Sequence, residues 1–307
     1  MAVAMAIDAV LGWPERLFLL FGHPVTWLGR LIDRVDFLCN RDFDSPAFRR
    51  ATGVVATLLM IALPTLLAWI VQIQLTTEWS RIVIAGLLAW PLVALRSLHD
   101  HVADVAQPLL SGDIDAARAA VARIVGRDPS GLDEAGIARA SIESLAENTS
   151  DGVIAPLFWG VVFGLPGLVG YKVINTLDSM IGHRTPRHEA FGWAAARIDD
   201  VVNFIPARLT GFLFAVPAPR PTSALSCMVE DAHRHRSTNA GWPEAAIAGA
   251  LGVRLSGPRV YDGSLADEPW LNGGARDPLA ADIERALGLY RRAMWLTAAM
   301  LVILAVV

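Results

Sequence analysis

Between Arg139 and Thr210 the chain gathers carboxylate, amide and basic side chains on both sides of an apolar run. Arg139, Glu143 and Glu147 fall at i, i+4 and i+8, so a helix puts all three on one face. Asn148 and Asp151 follow where Asn-Thr-Ser-Asp-Gly reads as the helix end. Two glutamates four apart repel by about 0.2–0.5 kcal/mol unless a cation sits between them. A hard cation such as Mg2+ takes oxygen ligands and needs only one or two carboxylates when substrate phosphates supply the rest. The plain alternative is a solvated face on which Arg139 neutralises Glu143.

Lys172, Asn175 and Ser179 share a second helical face, with Asp178 beside them. A lysine, an amide and a carboxylate at this spacing can hold a phosphate, a donor hydroxyl and a metal; the alternative is a salt-bridged helix end. ARIDDVVNFIPARLTG repeats the chemistry with Arg197, Asp199, Asp200, Asn203 and Arg208. Adjacent aspartates point different ways on a helix, so one of the pair at most faces a given ligand. His183, His188, His233 and His235 form neither HExxH nor a zinc-finger spacing. GxxxxGK[ST], GxGxxG and GxSxG are absent, which removes P-loop, Rossmann and nucleophile-elbow readings. The residues alone describe a membrane-embedded site suited to metal-phosphate or polar-substrate handling.

The elements that must carry these groups follow from composition. Hydrophobic residues make up 54% and charged residues 18% of the 307, against about 45–50% and about 25% in globular domains. This predicts an all-α, polytopic integral membrane protein with about three to five spanning helices. Ionisable groups at the centre of a spanning helix cost roughly 2.5–3.5 kcal/mol each, so those that occur are site candidates. A net charge of −4 without a Lys/Arg run excludes a nucleic-acid partner. Cys39 and Cys227, far apart and without CxxC spacing, indicate neither a zinc site nor a disulfide framework. The N-terminus lacks a basic region and Asp8 interrupts its apolar run, which argues against a cleaved signal peptide.

Along the chain, 1–50 reads as interfacial helices with Trp13 and Trp27 at headgroup depth, and 51–95 as a transmembrane hairpin containing Pro64 and broken at Pro91. Residues 96–138 read as cytoplasmic helices, among them an amphipathic one over 111–126 capped by Asp113, with an Asp115/Arg118 pair and Ile124 and Val125 on its apolar face. The core site region is 139–217. Within it, 152–171 is uncharged but carries Pro156 and Pro166, so a broken or re-entrant helix is expected, with Gly160 and Gly164 serving close packing. A motif and loop fill 218–277, loop-like from Gly257, and 278–307 forms a final helix and anchor starting near Pro278. The whole of 1–307 is expected to be one membrane-embedded catalytic domain. Arg30, Arg34, Arg41, Arg49 and Arg50 precede the hairpin and Arg96, Arg118, Arg123, Arg127 and Arg139 follow it, which places both flanks in the cytoplasm.

ESLAENTSDGVIAPLFW, YKVINTLDSMIGHRTPRHEAFGWAAARIDDVVNFIPARLTG and DAHRHRSTNAGWPEAAIAGALGVRLSGP closely resemble the adenosylcobinamide-phosphate synthase family, membrane proteins of cobalamin biosynthesis. DAVLGWPERLFLLFGHPVTWLGRLI fits the family's opening, although Trp13 stands where an acidic residue is expected before the proline. The resemblance covers nearly the whole chain. It implies ATP-dependent amide ligation of adenosylcobyric acid with (R)-1-aminopropan-2-ol phosphate or the free aminopropanol; with the arginine flanks, the expected location is the cell (plasma or inner) membrane with the site facing the cytoplasm. On that basis Glu147, Asp151, Asp178 and Asp199 take metal or base roles, and Lys172, Arg197 and Arg208 bind phosphate or carboxylate. Glu143, Asn148, Asn175, Ser179, Asn203 and Asn239 orient substrates, while His235 and Glu244 close the pocket. Mg2+ and ATP are the expected cofactor and co-substrate; other cobalamin-pathway enzymes or a second copy of the chain are further partners. The rival functions are a membrane transporter of a corrinoid or other polar substrate and a non-catalytic scaffold, the latter docking through 111–126.

Overall fold

Punctuation by proline, glycine and capping side chains sets the helix boundaries. The computed structural model describes residues 1–126, 128–261, 264–266 and 268–306, with the backbone alone at 259–261 and 264–266. Arg127, and part of the 218–277 stretch, lie outside the described residues. Short helices α1 (Ala2–Leu11) and α2 (Glu15–Phe21) open the chain. The next, α3 (Pro24–Cys39), starts on a capping box in which His23 Nδ1 accepts from Val25 N–H at 3.2 Å, with proline at the first helical position. Ser45 caps α4 (Pro46–Gln74) by accepting from Phe48 N–H, and Thr77 caps α5 (Glu78–Ala89). Pro91 then breaks the second apolar run through a 3₁₀ turn, Trp90–Leu92, before α6 (Leu95–Leu110).

The amphipathic helix expected over 111–126 is shorter: α7 runs Ile114–Val121. Asp113 caps it and Asp115 pairs with Arg118 at 3.1 Å. Ile124 and Val125 fall beyond its end. Arg118 donates to Leu132 O and Ser144 to Ile124 O, so the chain there is held in turns and not in a continuing helix. A second correction concerns Asn-Thr-Ser-Asp-Gly, which does not end a helix. After α8 (Glu134–Thr149) the backbone passes through a π-helical turn, Ser150–Ile154, straight into α9 (Ala155–Ile181).

The remaining helices are α10 (Trp193–Val202), α11 (Phe204–Ala215), α12 (Pro221–Asp231), α13 (Gly241–Leu251) and α14 (Ala280–Val306). From Leu255 onward, across the tract expected as loop from Gly257, the described residues form two small antiparallel ribbons. There β1 (Leu255–Ser256) would be unsatisfied alone; β2 (Arg259–Tyr261) pairs with β3 (Ser264–Ala266), and β1 pairs with β4 (Trp270–Leu271). Strands of two or three residues are too short to show alternation in sequence.

Among the described residues four helical stretches are long and apolar enough to cross a membrane: Pro46–Gln74, Glu78–Leu110, Glu134–Ile181 and Ala280–Val306. The protein is thus all-α in its architecture and a multi-pass membrane protein.

The chain forms two compact units, Met1–Ala94 with Ala155–Asn203, and Leu95–Ile154 with Phe204–Val307. In the first, Ile32, Met60, Val173, Leu177, Ile181, Phe191 and Ala195 form a core between α3, α4, α9 and α10. Arg187 grips Asp36 with two hydrogen bonds, 2.9 and 2.6 Å, and ties the turn after α9 to α3. In the second unit α13 is buried almost all round, as its Ala- and Gly-rich sequence requires. At Gly249 a Cβ would lie 2.4 Å from Ser223 O, so glycine permits the close approach of α12. Tyr290 on α14 donates to Leu95 O at 2.8 Å.

Candidate functional site

In the first unit the site side chains hang on a broken helix. Within α9, Gly164 has φ 70 and ψ −150, a conformation that only glycine adopts readily. Gln72 on α4 caps the restarted half by accepting from Leu165 N–H at 2.7 Å, and Pro166 needs no acceptor. The broken helix is therefore present. Gly164 is its break, while Gly160 serves close packing, against the Met1 side chain.

The restarted half presents Lys172, Asn175 and Ser179 in a row. Lys172 Nζ lies 3.3 Å from Asn175 Oδ1, Ser179 Oγ donates to Asn175 O at 2.8 Å, and the His183 ring meets Ser179 O at 3.0 Å. Asp178 is half-buried, with His183 and Asp200 in electrostatic reach. His23, which sequence reasoning left as part of an opening motif, is held below the ordinary imidazole range by burial and then by the Lys172 cation. A histidine capping a helix gives no local signal of a lysine that distant in sequence.

On α10 the adjacent aspartates part as expected. Asp200 takes Arg197 at 3.1 Å on the outer side. Asp199 turns the other way, its Oδ2 accepting from Asn203 Nδ2 at 2.9 Å, and Asn203 Oδ1 accepts from the Tyr171 hydroxyl at 2.9 Å. Asn203 is 1% exposed, and its amide bonds a protein carboxylate and a tyrosine hydroxyl.

In the second unit α8 carries the other carboxylates. Arg139 does not serve as the local neutraliser of the solvated-face alternative: it forms an ion pair with Asp277 and lies over the Trp270 ring, 4.7 Å from its centroid. Arg254 also lies over Trp270, at 4.2 Å, and bonds Asp277 at 2.9 and 2.6 Å. Glu143 is buried, and its Oε1 accepts from Ser256 N–H at 2.6 Å. Glu147 and Asn148 are exposed, and Asn148 Nδ2 donates to Ser144 O at 2.9 Å. Asp151 sits in the π-helical turn, a form frequent at functional sites.

Around α13 the second unit brings more of the expected groups together. His235 Nδ1 accepts from Ser237 N–H at 3.0 Å, which leaves the Nε2 proton facing Glu244 Oε2, 3.7 Å away. Both side chains are buried. Asn239 is buried beside them, its N–H donating to Ser237 Oγ at 3.3 Å. Arg208 donates to Phe204 O at 2.6 Å and is sandwiched between the Phe204 ring at 3.4 Å and the Trp242 ring at 4.2 Å. Stacking fixes the guanidinium plane and leaves an edge suited to a carboxylate or phosphate fork.

The expected residues thus fall into two groups: Lys172, Asn175, Asp178, Ser179, Arg197, Asp199 and Asn203 in the first unit, the rest in the second. Among the described residues no three His, Cys, Asp or Glu side chains come together to hold a metal by themselves. Each unit holds two of the expected metal-binding carboxylates, Asp178 and Asp199 in the first and Glu147 and Asp151 in the second, the one or two that Mg2+ takes when phosphates supply its other oxygens.

A model of the CobD/Cbib protein family matches residues 1–290. The Cobalamin biosynthesis protein CobD of Rhodobacter capsulatus is 60% identical over 294 residues, 96% of this chain and 93% of that one. The proteins of the same description from Sinorhizobium fredii and Brucella suis biovar 1 are each 44% identical, over 95% and 94% of this chain and 92% and 91% of theirs. No solved structure matches.

Proposed function

Because the chain belongs to the CobD/Cbib protein family, we propose that it is the adenosylcobinamide-phosphate synthase of cobalamin biosynthesis. It joins the propionate carboxylate of adenosylcobyric acid to (R)-1-aminopropan-2-ol phosphate, or to the free amino alcohol, through an amide bond. The observation that carries this reading is 60% identity over nearly the full length of both chains.

A carboxylate and an ammonium do not condense in water without activation. Attack of the carboxylate on the ATP γ-phosphate gives an acyl phosphate and ADP; attack of the neutral amine on the acyl carbon then forms the amide and expels phosphate. The ammonium must first give its proton to a base, for which Glu147, Asp151, Asp178, Asp199 and a neutral histidine are the candidates. Lys172, Arg197 and Arg208 bind phosphate or carboxylate oxygens, Arg208 through its stacked fork. Asn148, Asn175, Ser179 and Asn239 orient the substrates, and His235 with Glu244 holds the Asn239 turn closed. Bound Mg2+ would neutralise charge on the phosphate oxygens, with ligands among Glu147, Asp151, Asp178 and Asp199. The arginines flanking the 51–95 segment support a plasma-membrane protein whose site faces the cytoplasm. Intramembrane charge and a broken helix suit a carrier equally, but nothing favours one.

The test is product formation by the purified chain in micelles with ATP, Mg2+, adenosylcobyric acid and each amine donor. Amide product that requires ATP is expected, and Asp151→Asn or Lys172→Met should lower turnover by about 10²–10⁴-fold. ATP-independent corrinoid flux into liposomes without product would replace the synthase by a carrier, and neither activity would leave a scaffold.

A further inference from the structure

We propose that Tyr171 is a positioning residue for Asp199, acting through the Asn203 amide. The inference rests on the reading of Asp199 as a carboxylate that handles metal or proton. Chemistry fixes the polarity of the chain of contacts. A carboxylate only accepts, so Asn203 must turn its Nδ2 toward Asp199 Oδ2, 2.9 Å away, and its Oδ1 toward the Tyr171 hydroxyl, 2.9 Å away. The hydroxyl therefore donates.

Tyr171 and Asn203 are 2% and 1% exposed, so water does not compete for the bond between them, and the Asn203–Asp199 bond is part-buried. The two halves of the broken helix α9 both grip the end of α10. Trp159, before Gly164, donates from Nε1 to Val202 O at 3.1 Å, and Tyr171, after it, reaches Asn203. Arg197 bonds the adjacent Asp200 at 3.1 Å, so the relay and Arg197 act on different aspartates of the pair. A conformation that glycine alone adopts readily thus aims a carboxylate that sequence spacing could only name.

The experiment compares kcat and KM of the full-length chain in micelles for Tyr171→Phe, Asn203→Ala, their double variant and Asp199→Asn, per folded protein. The relay predicts that each of the first two lowers kcat by roughly ten- to hundredfold and leaves each KM within about twofold. The double variant should then fall no more than about twofold below Asn203→Ala, because the two act as one chain. Undiminished kcat in Tyr171→Phe, or losses that multiply in the double variant, overturn the relay while an inactive Asp199→Asn keeps the role of Asp199. Should Tyr171→Phe not fold, Asn203→Ala decides: full kcat overturns the relay, and a kcat-only loss supports it. Wild-type turnover in Asp199→Asn overturns both.

Discussion

Glu143 Oε1 accepts the backbone N–H of Ser256 at 2.6 Å, and Ser256 has a left-handed φ of 59°. The carboxylate thereby holds the corner between β1 and Gly257, whose own φ is 83°. Both partners are buried. Glu143→Ala should cost about 1–3 kcal/mol by stranding that N–H, and Glu143→Gln less because an acceptor remains. Ser256→Gly should stabilise by about 1 kcal/mol on relief of the left-handed strain. Chemical unfolding in micelles measures all three. A Glu143→Gln variant that is stable yet inactive would support the expectation that Glu143 binds substrate.

The cap that Gln72 supplies to Leu165 N–H makes the break in α9 a designed feature. Gly164→Ala should cost about 1–3 kcal/mol from backbone conformation alone, and its Cβ would also meet Gln72 Oε1 at 2.2 Å. Gln72→Leu should lose about 1–3 kcal/mol by leaving the Leu165 N–H without an acceptor at membrane depth. Thermal inactivation midpoints in micelles check both; an unchanged midpoint in Gly164→Ala would mean the break is not fixed.

What was legible followed the range of the physics. The long uncharged run of α4, the break at Pro91 and the broken α9 are local hydropathy and Pro/Gly effects, and all were readable. The Gln72 cap was not, because its partner lies 93 residues away. Helical spacing offers Glu143 as a partner for Arg139 only in the solvated-face alternative, whereas its carboxylate, Asp277, is 138 residues distant. Asn-Thr-Ser-Asp-Gly reads as a stop by propensity. Burial of Ser150, Gly152 and Val153, and the Thr149 hydroxyl bonding back to Leu145 O at 2.6 Å, accompany its continuation as a π turn. The separation of Asp199 from Asp200 was readable from helix geometry, but the Asn203–Tyr171 support was not.

Asp277 gives a pH dependence of known sign. Hydrogen bonds from Arg254 and then Arg139 hold its carboxyl below the ordinary range against the opposing effect of burial. A depressed carboxyl stabilises the fold above its unfolded value, near pH 3.9, and loses that contribution as pH falls through the lower folded value. Asp277→Asn should therefore be less stable than wild type by a constant margin at neutral pH, and the margin should shrink as pH falls below the unfolded value and vanish below the lower folded one. Unfolding midpoints across pH for the two proteins test it; a margin that persists in acid would assign the effect to packing.

The two thiols should differ in reactivity. Cys39 is exposed, while Cys227 is buried with its Sγ 3.7 Å from Asp231 Oδ2. Burial, then the Asp231 charge, pushes the Cys227 thiol up to about 12. Asp231 is itself fixed by Asn272 N–H at 2.7 Å and by Arg234 at 3.0 Å. The thiolate is the nucleophile, so at pH 8 only about one Cys227 in 10⁴ is reactive even before access is considered. N-ethylmaleimide followed by mass spectrometry should find one modified cysteine, Cys39, in the folded chain and two after denaturation. Asp231→Asn removes the negative charge that opposes ionisation and should speed labelling of Cys227. Equal labelling of both cysteines in the folded wild type would contradict this burial and charge argument.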